Sequence, residues 1–477
     1  MDRTIEVSKG SYSSAVRPAA AWGLLALLAA NMLIDALEVS IMVVAMPVIA
    51  EDLGYHRVTA VWLVSGFACG FAGALMIGGR LAERFGRRRV YLLALVLFVT
   101  VSLAGSIVVD PVLLSGIRVI KGMCAALTAP LGSAIIATTF ADKRGRDRAL
   151  SIYAFAGGSG FAAGLLAAGF LTLHDWRLTF LVPAIVVSVI LVAGARLIPK
   201  DPRRGQNSIN RFAPLGAASA LFFALAVIAA VSAISTAATY GWRDPRTVVC
   251  VAVAVLFAGG LVRSERNNGE PLYFSPALAN RTLLSSMVCA AAMNGTNLAL
   301  LVIVTMRLQY DLGWTALHAA LAVLPASVPL VLAAPLSGIL IARFGTAPLT
   351  AAGMMCTGSA ALTFAVPEAP TDYTVDVLPG MLLLGAGFSF GFAALNSRAT
   401  STVDDAHKSA AGGLYQTAVQ LAAAFVPMAV ALCWVVDQQL AARVAIVVAL
   451  LGILSACAGI RISRAPLSDE DRSKEQQ

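Results

Sequence analysis

The chain has 477 residues, 58% of them hydrophobic and only 13% charged, with mean hydropathy +0.81. That is more apolar surface than a soluble fold of this length hides in its interior, so the composition excludes an ordinary soluble domain and points to a polytopic integral membrane protein. The formal net charge of +9 does not call for nucleic acid, because the basic residues segregate between alternate loops as a topology signal.

Residues 1–21 form a polar tail of mixed charge. The apolar run after it is longer than a signal-peptide core and has no small-residue cleavage site, so the tail is expected to stay in the cytoplasm. A spanning helix needs about 20 apolar residues. Six such segments follow at 22–46, 59–79, 90–109, 112–138, 149–171 and 178–195, making a first block over 22–195. A basic linker over 196–212 leads to two further spans at 213–238 and 247–262, together the segment 213–262, and a second linker covers 263–282. Six more spans at 283–306, 317–342, 348–366, 377–397, 409–435 and 441–460 make a second block over 283–460, before a polar tail at 461–477. The total is fourteen spans, an even number, which leaves both termini on one side.

Lysine and arginine orient the array. The termini and the loops on their side hold 27 of the 35 basic residues, the opposite loops hold 6, and the last two lie inside a span. Positive loops resist translocation, so both termini are expected in the cytoplasm. All seven cysteines fall in apolar segments, which argues against a disulfide framework or a metal site. His56, His174, His318 and His407 are scattered, mostly at loop positions, so no catalytic cluster is evident and an enzyme is not expected.

The string AERFGRRRV at 82–90 has an echo, ARFGTAPL, at 342–349, and each follows the second span of its block. The two blocks therefore read as a duplicated half, the pattern of repeat-built membrane proteins with a helical pair inserted in the middle.

Five stretches carry a resemblance to the major facilitator superfamily, and to its fourteen-span drug:proton antiporter branch, over roughly residues 20–462. GGRLAERFGRRR (78–89) resembles the loop signature Gly-x-Leu-Ala-Asp-Arg-x-Gly-Arg-Arg, with Glu83 in the aspartate position. Glu38-x-Ser40 followed by Ala45-Met46-Pro47 resembles the first-span signature Asp-x-Thr…Ala-Leu-Pro. GIRVIKGMCAA (116–126) resembles the fourth-span Arg-x-x-Gln-Gly pattern, with Arg118 and Gly122 kept and Lys121 in place of glutamine. The runs 307–345 and 412–424 resemble corresponding stretches of the second half. In the fifth span the branch's Gly-Pro-x-x-Gly-Gly has become a sequence with Phe161 for the proline and Leu165 for the second glycine. Gly160 and Gly164 remain, at a spacing suited to close helix packing.

The resemblance implies two six-helix bundles plus two inserted helices, all α. It implies proton-coupled efflux of drugs or antibiotics from the plasma membrane by alternating access, with the proton gradient as energy source and no cofactor. The expected partners are a small hydrophobic or amphipathic substrate, protons and the bilayer, with no nucleic acid, and the chain is expected to be monomeric. An exporter or facilitator of an endogenous metabolite or lipid, without strict proton exchange, is the alternative.

Four charges lie within spans. Asp35 and Glu38 are three residues apart and share a helix face, as do Arg118 and Lys121. At about 1.5 Å per residue, Glu38, Lys121, Arg118 and Asp35 lie ~12, ~13, ~9 and ~16 Å below the outer ends of their spans. An ionised group at the bilayer centre costs roughly 2.5–3.5 kcal/mol, so these four are expected to pair across the two helices around a wet central cavity. The cluster is either a static ion-pair lock or a proton carrier, with Glu38 first and Asp35 second for that role, Arg118 tuning it, and Lys121 a countercharge or a substrate-facing cation. Two acids against two bases suggest a roughly neutral cavity and a neutral, zwitterionic or amphipathic substrate. Asn294, Asn297, Asn396, Gln416 and Gln420, with Tyr310 and Tyr415 near them in sequence, are the candidates for the rest of its wall. Gly79, Glu83, Arg84, Gly86, Arg87 and Arg88 are the candidates for a conformational latch at the cytoplasmic helix ends.

Overall fold

Inside a bilayer the backbone must satisfy its own hydrogen bonds, which favours helices. In the computed structural model every regular element among the described residues is helical. The structure describes residues 18–200, 216–268, 271–333, 336–364, 372–401, 403–404, 407–436 and 438–464. Most of the N-terminal tail, most of the first linker and nearly all of the C-terminal tail lie outside them.

The first block comprises α1 (Pro18–Leu53), α2 (Arg57–Phe85), α3 (Arg87–Gly105), α4 (Pro111–Thr139), α5 (Lys143–Thr172) and α6 (Leu178–Leu197). Then come α7 (Ala217–Tyr240) and α8 (Pro245–Asn267). The second block holds α9 (Arg281–Met306), α10 (Ala316–Val323), α11 (Val328–Ala333), α12 (Ser337–Phe344), α13 (Thr346–Thr363), α14 (Leu378–Ser401), α15 (Lys408–Val436) and α16 (Gln438–Arg464). Twelve helical stretches are long and apolar enough to cross a membrane, or thirteen when α12 and α13, bent by 115°, count as one span. The protein is a multi-pass membrane protein.

The expected continuous helix over 317–342 is interrupted between α10 and α11 by a tight turn at Leu324–Ala326, and residues 334–335, ahead of α12, lie outside the described ones. Pro325 and Pro329 explain the break, because each removes a backbone N–H and crowds the carbonyl four residues before it. The internal echo is visible in the backbone. Gly86 and Gly345 each end a helix at positive φ, +94° and +78°, a conformation costly for any residue with a Cβ.

Small residues set the helix crossings. A Cβ on Gly160 would strike the carbonyl of Leu33, and one on Gly164 would lie 2.6 Å from the carbonyl oxygen of Leu37, so α5 lies directly on α1. Ser40 Oγ donates to the carbonyl of Phe161 at 2.8 Å across the same crossing. Gly70 and Gly122 bring α2 and α4 together in the same way. In the second block α9 packs on α15 and α16, and α13 on α14. The blocks meet through α2 against α15 and α5 against α10, while α7 lies against both α2 and α15. Of α8, only Thr247 and Glu265 are buried.

Candidate functional site: a central cavity with one carboxylate

Below, the near side is the one carrying the start of α1, and the far side is its opposite. A cavity of about 720 Å³ lies between the two blocks, within the range of sites for organic molecules. The first block contributes aromatic surface from Phe67, Phe71 and Phe161. The second contributes Phe388 and Phe392, stacked at 4.7 Å, and the amides Asn294, Asn297, Asn396, Gln416 and Gln420. Spacing explains the amide wall: Asn294 and Asn297 are three apart on α9, and Gln416 and Gln420 four apart on α15, so each pair shares a face. Asn294 Nδ2 donates to the carbonyl of Val419 at 3.1 Å, which ties α9 to α15.

Among the described residues, Asp35 is the only ionisable one lining this cavity. Its Oδ2 accepts from Asn31 Nδ2 at 3.0 Å and from Thr128 Oγ1 at 2.8 Å. Glu38, one turn on, takes no part in the lining. Its carboxylate is fully buried between Arg118 Nη1 at 2.5 Å and Lys121 Nζ at 2.7 Å, and both cations have no exposed surface either. Arg118 also donates to the carbonyls of Leu63 and Glu38, each at 2.7 Å, and stands 4.9 Å from the Phe67 ring centroid. Lys121 sits between the rings of Phe98 and Phe180, at 4.7 and 5.0 Å. The expected cross-helix pairing of acid and base is therefore present for Glu38. The expectation that all four charges share the cavity is not met, because Phe67, Phe98, Phe180 and the close α2–α4 crossing enclose three of them. The cavity is consequently not balanced between acids and bases: its one ionisable group is an acid.

The cavity extends toward the near side, reaching Ser133, Ala154, Asn396 and Gly412. On the far side the blocks are joined. Gln309 Nε2 donates to the carbonyl of Val44 at 3.0 Å, and Tyr310 Oη donates to that of Pro47 at 3.5 Å, with the Arg57 guanidinium 4.4 Å from the Tyr310 ring centroid. Gln309 and Tyr310 lie on a wide helical turn, Arg307–Asp311, that extends α9. A Cβ on Gly169 of α5 would approach Leu317 and Ala320 of α10 within 3.0 Å.

Tyr310 is thus part of this far-side junction and does not line the cavity. Tyr415 does not line it either: it is buried behind Phe392, whose carbonyl accepts from its hydroxyl at 3.4 Å. Around the expected latch, Gly79, Glu83, Arg84 and Arg87 are exposed at the near side, and Arg84 lies against Phe85. Gly86 makes the turn from α2 to α3, and Arg88 Nη2 donates to the carbonyl of Ala195 at the end of α6 at 2.5 Å. Sequence reasoning did not single out Asn31, Thr128 or Gln309. The first was detectable four residues before Asp35 on the same face, and the second seven residues after Lys121.

A helical bundle closed at one side around a cavity that both halves line is the arrangement of alternating-access carriers. Residues 28–427 match the family model described as Major Facilitator Superfamily. The chain belongs to that superfamily. Curated relatives include the puromycin resistance protein pur8 of Streptomyces alboniger, 30% identical over 84% of this chain and 79% of that one. The lincomycin resistance protein of Streptomyces lincolnensis is 30% identical over 86% of this chain and 84% of its own length. The multidrug efflux pump LfrA of Mycolicibacterium smegmatis is 26% identical over 87% and 81%. Among solved structures, a peptide transporter POT in complex with sulfate superposes with TM-score 0.67 at 14% identity, covering 92% of this chain and 94% of that one. The fold is therefore that of a transporter superfamily rather than of an enzyme.

Proposed function

We propose that this member of the superfamily is a proton-coupled drug efflux transporter. It exports amphipathic organic compounds, neutral or carrying a cation, by alternating access. The observation that carries this reading is Asp35: a lone carboxylate on the wall of an otherwise uncharged, aromatic and amide-lined cavity. A proton and a cargo molecule compete for such a group, and an ionisable residue within a span is by default a functional one. Zwitterions and anions fit less well, since among the described residues no cation lines the cavity to receive their negative group. The names of the relatives, resistance proteins and a multidrug pump, support drugs or antibiotics as cargo.

In this reading Asp35 carries the proton. The buried Glu38, Arg118 and Lys121 group is the lock that fixes α1 to α4. The near side is cytoplasmic, by the bias of basic residues, so the cavity faces the cytoplasm and both termini lie there. α12 continues the span begun by α10, and with α13 and α16 the spans number fourteen, as in the drug:proton branch. The two blocks are the moving bundles, the exposed arginines with Glu83 latch their near-side ends, and the working unit is a monomer with no cofactor. Proteoliposomes under an imposed pH gradient test the proposal, with ethidium as the probe. The parent should accumulate it and Asp35→Asn should lose gradient-driven accumulation. Accumulation by Asp35→Asn at the parental rate would overturn it.

A further inference from the structure

The hydrogen bonds around Asp35 are lopsided. Oδ2 takes both donors, Asn31 Nδ2 and Thr128 Oγ1, while Oδ1 accepts no bond from any described residue. Thr128 has a single hydroxyl hydrogen but three acceptors in reach: Asp35 Oδ2 at 2.8 Å, the carbonyl of Cys124 at 3.1 Å and that of Ala125 at 3.3 Å. It can serve one well at a time, and an ionised carboxylate outcompetes a carbonyl for it.

We propose that Thr128 is a positioning residue that transmits the proton state of Asp35 to α4, the helix carrying Arg118 and Lys121. With Asp35 ionised, the Thr128 hydroxyl and the Asn31 amide hold Oδ2 and leave Oδ1 turned to the cavity. A proton entering from the cavity forms an O–H bond on Oδ1, and the carboxyl becomes neutral. Thr128 then loses its charge-assisted acceptor and swings its hydrogen to the Cys124 or Ala125 carbonyl, with no covalent bond broken. Such back-bonding from a threonine bends a helix. It occurs here in the turn just before Pro130, where the missing N–H of the proline has already removed one backbone bond from α4. Protonation and bending of α4 thus become one event.

The other ionisable groups near Asp35 are Glu38 on its own helix, Cys124 on α4, Tyr153 on α5 and Tyr91 on α3. α2 and α9 face the same part of the cavity with Phe67 and Phe71, and with Asn294 and Asn297. None of these hydrogen-bonds the Asp35 carboxylate, so Asn31 and Thr128 are its two direct partners.

This inference rests on the assignment of Asp35 as carrier, but its test needs no transport. The infrared carboxyl stretch of the purified full chain is titrated against pH, and the Asp35 band is identified by its loss in Asp35→Asn. Replacing Thr128 by the isosteric valine removes a donor to the ionised form. The Asp35 titration midpoint should then move up by about one pH unit, a tenfold change in proton affinity. Thr128→Ser should keep the parental midpoint. An unmoved midpoint in Thr128→Val overturns the proposal, as does failure of Thr128→Ser to preserve it, since the methyl group would then be what matters. If Thr128→Val does not fold, Thr128→Ala decides in the same way. Loss of proton-driven transport in Asp35→Asn alongside an unmoved midpoint in Thr128→Val would sink this inference while leaving the proposed function standing.

Discussion

Replacing Glu38 by glutamine should destabilise the protein more than removing either of its partners. Among the described residues, the carboxylate is the sole anion in contact with two cations that have no solvent-exposed surface. Without it, Arg118 keeps its bonds to the carbonyls of Leu63 and Glu38, but Lys121 is left with two aromatic faces and the glutamine oxygen. Breaking a buried pair by removing one partner costs about 3–5 kcal/mol, because an uncompensated charge stays behind. Lys121→Met removes a cation yet leaves Glu38 paired with Arg118, which should cost about 1–2 kcal/mol of lost hydrogen bonding and packing. The double variant carries one orphan cation instead of two and should lie between the single variants, a coupling of the kind double-mutant cycles resolve. Thermal unfolding in detergent, followed by intrinsic fluorescence, should therefore rank the parent highest, then Lys121→Met, then the double variant, with Glu38→Gln lowest. A Glu38→Gln protein as stable as Lys121→Met would refute the reasoning, and would mean that water reaches the triad.

Three further substitutions address packing and gating. Gly122→Val should cost about 1–3 kcal/mol from overpacking, since a Cβ there would meet the Phe67 backbone and lie 3.0 Å from Phe71 N. Gly79→Ala, with nothing within 4 Å, should leave stability unchanged, and the yield of monodisperse protein with its melting temperature checks both. Gln309→Ala removes a far-side bond between the blocks, worth about 1 kcal/mol. It should raise by about fivefold the labelling of a cysteine placed at Asn297 by a membrane-impermeant thiol reagent applied from the far side; unchanged labelling would show that the junction is held elsewhere.

Much of this architecture could be read from the chain because lipid imposes long apolar runs. The helices of the first block agree closely with the expected spans, and the glycines of the AERFG and ARFG strings make equivalent turns. The stretch from Ala316 to Ala333 is less legible, since it is apolar nearly from end to end and hydropathy does not register how Pro325 and Pro329 interrupt it. For the site, spacing located the helix faces but could not fix how far each side chain reaches. Asp35 and Glu38 share a face, yet three residues also means about 100° × 3 of rotation, not a full turn. That residual angle, together with the fit of α4 against α2, puts one acid on the cavity wall and seals the other away. Tyr415 shows the same limit, since it adjoins Gln416 in sequence yet is buried behind Phe392, while Tyr310, more than three turns beyond Asn297, belongs to the far-side junction.

The slight burial of α8 has a consequence for how the protein meets its surroundings. Glu265 at its near-side end accepts from the backbone amides of Leu272, Tyr273 and Phe274, and the Tyr273 ring stacks on Phe223 of α7 at 4.4 Å. Arg80 of α2 donates to the Pro271 carbonyl at 3.3 Å. Apart from α7 and this anchorage at one end, α8 presents its apolar surface outward, so in a membrane the bilayer itself would supply most of what holds it upright. Changes in hydrocarbon thickness would tilt such a helix first, and the pull would reach α2 through the Glu265 contacts and the Arg80–Pro271 bond.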